Sequence, residues 1–273
     1  MNHSTSSAEP YLGIDDLAID FSDGVLAVTL NRPDSLNSLT APMLETIANT
    51  LERAADDARV RVVRLGGAGR GFSSGAGIGA ADHANPDAMG APGDVLAEAN
   101  RAVRAIVALP KPVVSVVQGP AAGVGVSLAI AADIILASDK AYFLLAFTKI
   151  GLMPDGGASA LVAASIGRTR AMRMALLAER LPAAEALAVG LVSAVYPAGD
   201  LDAEVDKVIA TLKSGPAVAL RKTKQSINAA TLTELGAAFE LETDGQLSLL
   251  VSDDFREGTK AFQERRTPTF TDD

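Results

Sequence analysis

Two glycine-dense segments, each directly after a short β-branched apolar run, constrain this chain more than anything else in it. The first, Gly66-Gly67-Ala68-Gly69-Arg70-Gly71-Phe72-Ser73-Ser74-Gly75-Ala76-Gly77, follows Val60–Leu65. The second, Gln118-Gly119-Pro120-Ala121-Ala122-Gly123-Val124-Gly125, follows Val113–Val117 and leads into an apolar stretch of helical character. Residues without side chains let backbone approach other groups closely, and a helix that starts there presents unsatisfied N–H groups. Two such loops can aim donors at one oxygen, as in an oxyanion hole. Tight turns and close helix packing explain either loop taken alone. A dinucleotide-binding reading fails, because that motif needs a helix immediately after its glycines and an acidic residue about twenty positions on. Here the first loop runs into more loop, through Asn85-Pro86 and Pro92-Gly93.

Around these loops the pattern alternates between strand and helix. Val25–Leu30 reads as a strand ended by Asn31-Arg32-Pro33-Asp34, and Thr40 with Pro42 opens a helix whose apolar face is Met43, Ile47, Leu51 and Ala54. Val60–Leu65 is a second strand. Leu96, Ala99, Val103 and Ile106 mark an amphipathic helix that ends before Pro110. Val113–Val117 is a fully apolar strand, followed by a helix from about Val124 and a strand at Ile134–Ala137. Gly156–Ile166, Thr169–Ala178 and Pro182–Val189 read as helices. From Leu201 on, apolar and charged residues alternate at helical spacing. The expected organisation is a tail over residues 1–10, an α/β core over 11–200 and a helical region over 201–273. Strand-strand-helix units recur without a fixed period.

Composition removes several functions. With 24 Lys plus Arg against 33 Asp plus Glu, the formal charge is -9, which disfavours a nucleic-acid partner. The absence of Cys excludes disulfides, a thiolate nucleophile and Cys-ligated metal. The two histidines, His3 in the polar tail and His83 in a Gly/Ala/Pro-rich loop, suit neither a Ser-His-Asp triad nor a multi-histidine zinc site. Met1–Pro10 lacks an apolar signal core, so a disordered tail and a cytoplasmic protein are expected. Val113–Ala137 is long and apolar, but Gln118, Pro120, closely spaced glycines and Asp133 make it strand, turn, helix, strand and not a membrane span.

Taken together, the motifs resemble those of the crotonase (enoyl-CoA hydratase/isomerase) family over nearly the whole chain, in order. Gly71-Phe72-Ser73-Ser74-Gly75-Ala76 is similar to its first oxyanion loop, and Lys111-Pro112-Val113 through Gly125 to its second. Asn31-Arg32-Pro33 with Leu36-Asn37-Ser38-Leu39 resembles its N-terminal coenzyme A loop. Ile150 to Gly157, Ala188 to Val192 and Glu257 to Phe270 match as well. The resemblance implies an α/β fold: a spiral of ββα turns and a helical C-terminal region that builds trimers or dimers of trimers. It implies an acyl-CoA thioester substrate, with coenzyme A entering as part of the substrate and no separate cofactor or metal. It assigns the oxyanion amides to Ser74 and Val124, places coenzyme A along Leu36, Ser73, Gly75 and Ala76, and leaves Arg32 and Arg265 as candidates for its phosphates.

The departures bear on the reaction. The two glutamates by which family hydratases hold and activate water align with Ser127 and Phe147, and neither is a carboxylate. Hydration needs a base for water and an acid for the α-carbon. Gly77 stands where an Asp is common. One carboxylate is well placed, Asp155 in Leu152-Met153-Pro154-Asp155-Gly156-Gly157, a segment similar to that of the phenylacetate-pathway ring-epoxide isomerases. A double-bond shift needs only one base. Asp155 is therefore the expected catalytic residue, its alternative being a helix N-cap worth about 1 kcal/mol. Ser127 and Phe147 are expected in the substrate pocket. Asp82 and Asp94 fall in a loop and read as solvated. The leading expectation is an isomerase of enoyl-CoA or ring-modified acyl-CoA thioesters. An enoyl-CoA hydratase and a non-catalytic acyl-CoA-binding protein remain open. Leu235, Phe239, Leu247, Leu250 and Phe262 can cover either the chain's own core or a neighbour.

Overall fold

The computed structural model describes residues 10–77 and 90–271. His3, Gly79, Asp82, His83 and Asn85-Pro86 lie outside the described residues. Strands β1 (Leu17–Ser22) and β2 (Val25–Leu30) form an antiparallel hairpin. Its two turn residues, Asp23 and Gly24, both take positive φ (48° and 79°), which matches the twist of the hairpin. Strands β3 (Val62–Gly67), β4 (Val113–Val117), β6 (Ile134–Ser138) and β9 (Ala194–Tyr196) then add in parallel, giving the order β1-β2-β3-β4-β6-β9. A second, small sheet holds β5 (Pro120–Ala122), β7 (Tyr142–Leu144) and β8 (Leu181–Pro182) in the order β5-β7-β8.

The crossovers are helices α1 (Ala41–Asp56), α2 (Pro92–Ala108) and α3 (Val124–Ile130). Thr40 caps α1, its hydroxyl accepting from the Met43 N–H at 3.3 Å, and Met43, Leu44, Ile47, Ala48 and Leu51 are buried. Helix α2 begins at Pro92, inside what the sequence reads as loop; proline at the first helical position lacks an N–H that would go unsatisfied anyway. Asp94 accordingly lies exposed in the first turn of α2 and not in a loop. The run β4-β5-α3, strand, short strand and helix, has the ββα order that the family resemblance implies, with β5 standing where the sequence reads only a turn.

Helices α4 (Ala158–Ile166), α5 (Arg168–Leu177) and α6 (Ala183–Val189) follow, then α7 (Leu201–Ser214), α8 (Ala217–Thr231), α9 (Leu235–Leu249) and α10 (Asp253–Glu264). The helices after Asp200 do not stand apart from the rest. Leu201, Val205 and Ile209 of α7 cover one face of the main sheet against Val62, Val114, Val116 and Leu136. The neighbours in sequence, Val63 and Val113, face the opposite core with α1 and α2. Leu235 and Phe239 of α9 are buried in that same core. By contrast α8 buries no residue and is held by a polar pin: Lys224 Nζ donates to Asp133 at 2.9 Å and to the Ile106 carbonyl at 3.0 Å. No helix among the described residues is long and apolar enough to cross a membrane.

Candidate active site

The two glycine loops meet backbone to backbone. The Phe72 and Ser73 N–H groups donate to Pro120 O (2.9 and 3.1 Å), and Ala122 N–H donates to Ser73 O (2.8 Å). Asn37, fully buried, braces the first loop from below by donating to the carbonyls of Ala68 (2.9 Å) and Gly71 (2.8 Å). Gly75 sits at φ 89°, and a Cβ there would lie 2.8 Å from Ala122 O, so only glycine allows this approach.

This geometry corrects one expected oxyanion donor. The Ser74 N–H already donates to Leu36 O at 2.8 Å, and its hydroxyl to Ser35 O at 3.0 Å. Two residues on, Leu39 N–H donates to Gly75 O (2.8 Å) and Gly77 N–H to Leu39 O (3.2 Å). In an extended chain the residue between two such bonds turns its own N–H to the other side. That residue is Ala76, whose N–H donates to no atom among the described residues. Val124, the first residue of α3, likewise keeps a free N–H, as helix N-termini do. Ala76 and Val124 both line a cavity of about 480 Å³.

The walls of that cavity are mostly apolar: Val95, Leu96 and Ala99 of α2, Phe147 and Ile150 of a short 3-10 helix (Phe147–Ile150), Leu152 and Leu250. Asp155 enters from the loop before α4. It is 8% exposed. Its Oδ2 accepts from Gln246 Nε2 at 2.7 Å, while its Oδ1 is buried with no partner. Burial pushes this carboxyl up to about 7; the Gln246 bond opposes the rise and the nearby Glu242 charge adds to it. The N-cap alternative fails, since α4 begins after Gly157 with no side-chain cap: the Gly157 and Ser159 N–H groups go to Glu242, and the Ala158 N–H goes to the Asp155 carbonyl and not to its carboxyl. Glu242 accepts from Gly157 N–H (2.6 Å), Ser159 N–H (2.8 Å) and the Ser159 hydroxyl (2.5 Å). Burial raises its pKa too.

Other expected residues fall differently. Phe147, Gly75 and Ala76 line the cavity. Ser127 does not: it is fully buried behind the wall, and its hydroxyl donates to the Asp155 carbonyl at 2.8 Å, bracing the loop that carries the acid. Ser73 is equally buried, its hydroxyl bonded to Asn37 O and to the Gly75 N–H. Leu36 and Arg265 are left-handed residues ending a 3-10 helix (Pro33–Ser35) and α10, and neither lines the cavity. Arg32 is committed elsewhere, donating to Ser38 (2.9 and 2.7 Å) and pairing with Asp16. The cations that do line the cavity are Arg256 and Lys260 of α10, beside Gln263 and Thr259, whose buried hydroxyl has no partner. Sequence reading missed these, and missed Glu242 and Gln246. The available signal was two polar residues on the stripe Leu235, Phe239, Glu242, Gln246, otherwise the apolar face of a helix.

A braced acid and two backbone amides without partners among the described residues line one apolar cavity, and comparison with known proteins gives the chain a family. The family described as Enoyl-CoA hydratase/isomerase matches residues 20–273. A protein of Escherichia coli described as 1,2-epoxyphenylacetyl-CoA isomerase is 38% identical over 252 residues, covering 91% of this chain and 95% of its own. A Rhodobacter capsulatus protein described as "Probable enoyl-CoA hydratase" is 39% identical over 254 residues, 92% of this chain and 96% of its own. The crystal structure of an enoyl-CoA hydratase from Mycobacterium avium subsp. paratuberculosis superposes with a TM-score of 0.88 at 66% identity, covering 95% of this chain and all of that one. The chain belongs to the enoyl-CoA hydratase/isomerase family, and its mixed α/β fold is that of crotonase structures.

Proposed function

We propose that this protein is an isomerase of enoyl-CoA or ring-modified acyl-CoA thioesters, with Asp155 as its single proton carrier. The observation that carries the reading is Asp155, whose buried Oδ1 has no partner and which is the single carboxylate among the described residues of the cavity wall. The thioester oxygen accepts from the Ala76 and Val124 N–H groups, which stabilise the charge that develops as an α-proton leaves. Asp155 Oδ1 takes that proton, the electron pair passes into the carbonyl as an enolate, and the same oxygen returns the proton at the γ-carbon. A carboxyl near 7 suits both halves, since it ionises and reprotonates at neutral pH. Arg256 and Lys260 supply cations for the phosphates of coenzyme A. Phe147 keeps apolar the corner where a second acid would stand. We also propose a homotrimer or dimer of trimers.

The test is Asp155→Asn, assayed on a 3-enoyl-CoA with α-proton exchange followed in deuterated water. Turnover and exchange should both fall by about 10²–10⁴-fold, with thioester affinity retained. Full activity in this variant would end the assignment. Hydratase activity is the second reading, favoured by the description of the 66%-identical structure. Incubation with crotonyl-CoA beside a 3-enoyl-CoA separates hydration, isomerisation and binding without turnover.

A further inference from the structure

We infer that Gln246 is a positioning residue that divides the Asp155 carboxyl into one held oxygen and one working oxygen. The inference rests on the reading of Asp155 as proton carrier and adds what keeps it in service. A carboxylate with both oxygens free rotates about its Cβ–Cγ bond and presents either one to substrate. Here the Gln246 amide is bonded at both ends. Its Nε2 donates to Asp155 Oδ2 at 2.7 Å, and its Oε1 accepts from the Met153 N–H at 3.1 Å. The amide therefore ties the side chain of Asp155 to the backbone two residues earlier. One turn back on α9, Glu242 holds the backbone two and four residues after Asp155, at Gly157 and Ser159. Ser127 holds the Asp155 carbonyl from α3. The acid is thus gripped at Oδ2 and along its backbone, whereas Oδ1 is buried without a partner, and Asp155 is one of the residues that line the cavity.

Among the described residues the charged groups around it are few. Glu242 faces it from α9, and Arg256 and Lys260 line the same cavity from α10. Helices α3 and α4 carry no ionisable side chain. Gln246 is the neutral donor in this set, and a donor to the charged form favours ionisation. Removing it must make Asp155 harder to ionise, so the acid limb of the pH–rate profile must move to higher pH.

Two substitutions separate this role from a structural one. Gln246→Leu loses both bonds. Gln246→Glu keeps an acceptor for Met153 and replaces only the donor facing Oδ2, putting a second carboxyl against the first. In Gln246→Glu, kcat on a 3-enoyl-CoA should fall at pH 7 by about tenfold or more with KM within about twofold, and the acid limb should rise by about one pH unit or more. Gln246→Leu should shift the same limb upward by less. If the limb and kcat of Gln246→Glu match the unmodified protein while Asp155→Asn is inactive, the positioning role is overturned and the proton-carrier reading stands. If Asp155→Asn itself retains activity, the failure lies in that reading. A fall in the melting temperature of Gln246→Glu with no movement of the limb assigns Gln246 to folding alone and likewise overturns the proposal.

Discussion

The Asp155 carboxyl has a thermodynamic cost as well as a use. An ordinary exposed aspartate ionises near 3.8, whereas this one is held at about 7 in the folded chain. The folded state therefore binds its proton more tightly than the unfolded state does. Stability from this group is undiminished below about pH 4, declines as the pH rises from 4 to 7, and stays reduced above that. Asp155→Asn, neutral throughout, should melt above the unmodified protein at pH 8, with the gap closing toward pH 4. Calorimetry at the two pH values checks it; each kcal/mol recovered is worth about 2–4 °C in a chain of this size. The residue itself was legible because its segment is local and similar to a known pattern. Gln246 was not, because it meets Asp155 across 91 positions and only tertiary packing of α9 brings the two together. The expectation of a free Ser74 N–H failed for a related reason. Extended backbone alternates the direction of its N–H groups, and which set is free depends on where Leu39 pairs.

At the scale of elements, two joints deserve mutation. Gly75→Ala forces a Cβ against the Ala122 carbonyl at a φ of 89°, and should cost about 1–3 kcal/mol in a denaturant melt while separating the two loops and lowering turnover. The Lys224–Asp133 pin behaves differently. Its side chains are 7% and 21% exposed, and Asp133 also accepts from the Val113 N–H at 2.8 Å, so α8 is tied to the start of β4. Lys224→Ala leaves that carboxylate without its cation and should destabilise by about 3–5 kcal/mol, most of which a Lys224→Met, Asp133→Asn double variant recovers. The elements that periodicity predicts are those with a long one-sided face, α1 and α2, or a continuous apolar run such as β2, β4 and β6. The two- and three-residue strands β5, β7, β8 and β9 escaped, being too short to show a period and made by pairing with distant partners.

For the molecule as a whole, the residues with two possible destinations separate cleanly. Leu235 and Phe239 belong to the chain's own core, and Leu250 to the cavity wall. Leu247 and Phe262 remain exposed, as do Leu241 and Val251, at 71% and 70%. Light scattering should return three or six times the protomer mass, and Leu241→Glu with Val251→Glu should lower it if these side chains lie between copies; a monomer in the unmodified protein would exclude the assembly. The cavity is closed by α9 and α10, whereas its amides come from the strand-rich first half and its acid from the loop before α4. The acid and the amides thus sit on one stretch of the chain, and the side chains that brace the acid on another. Grafting the last third of one relative onto the first two thirds of another would therefore keep Asp155, the amides and most of the apolar wall while exchanging the side chains that brace the acid and the cations of α10, an exchange open to recombination as much as to the bench.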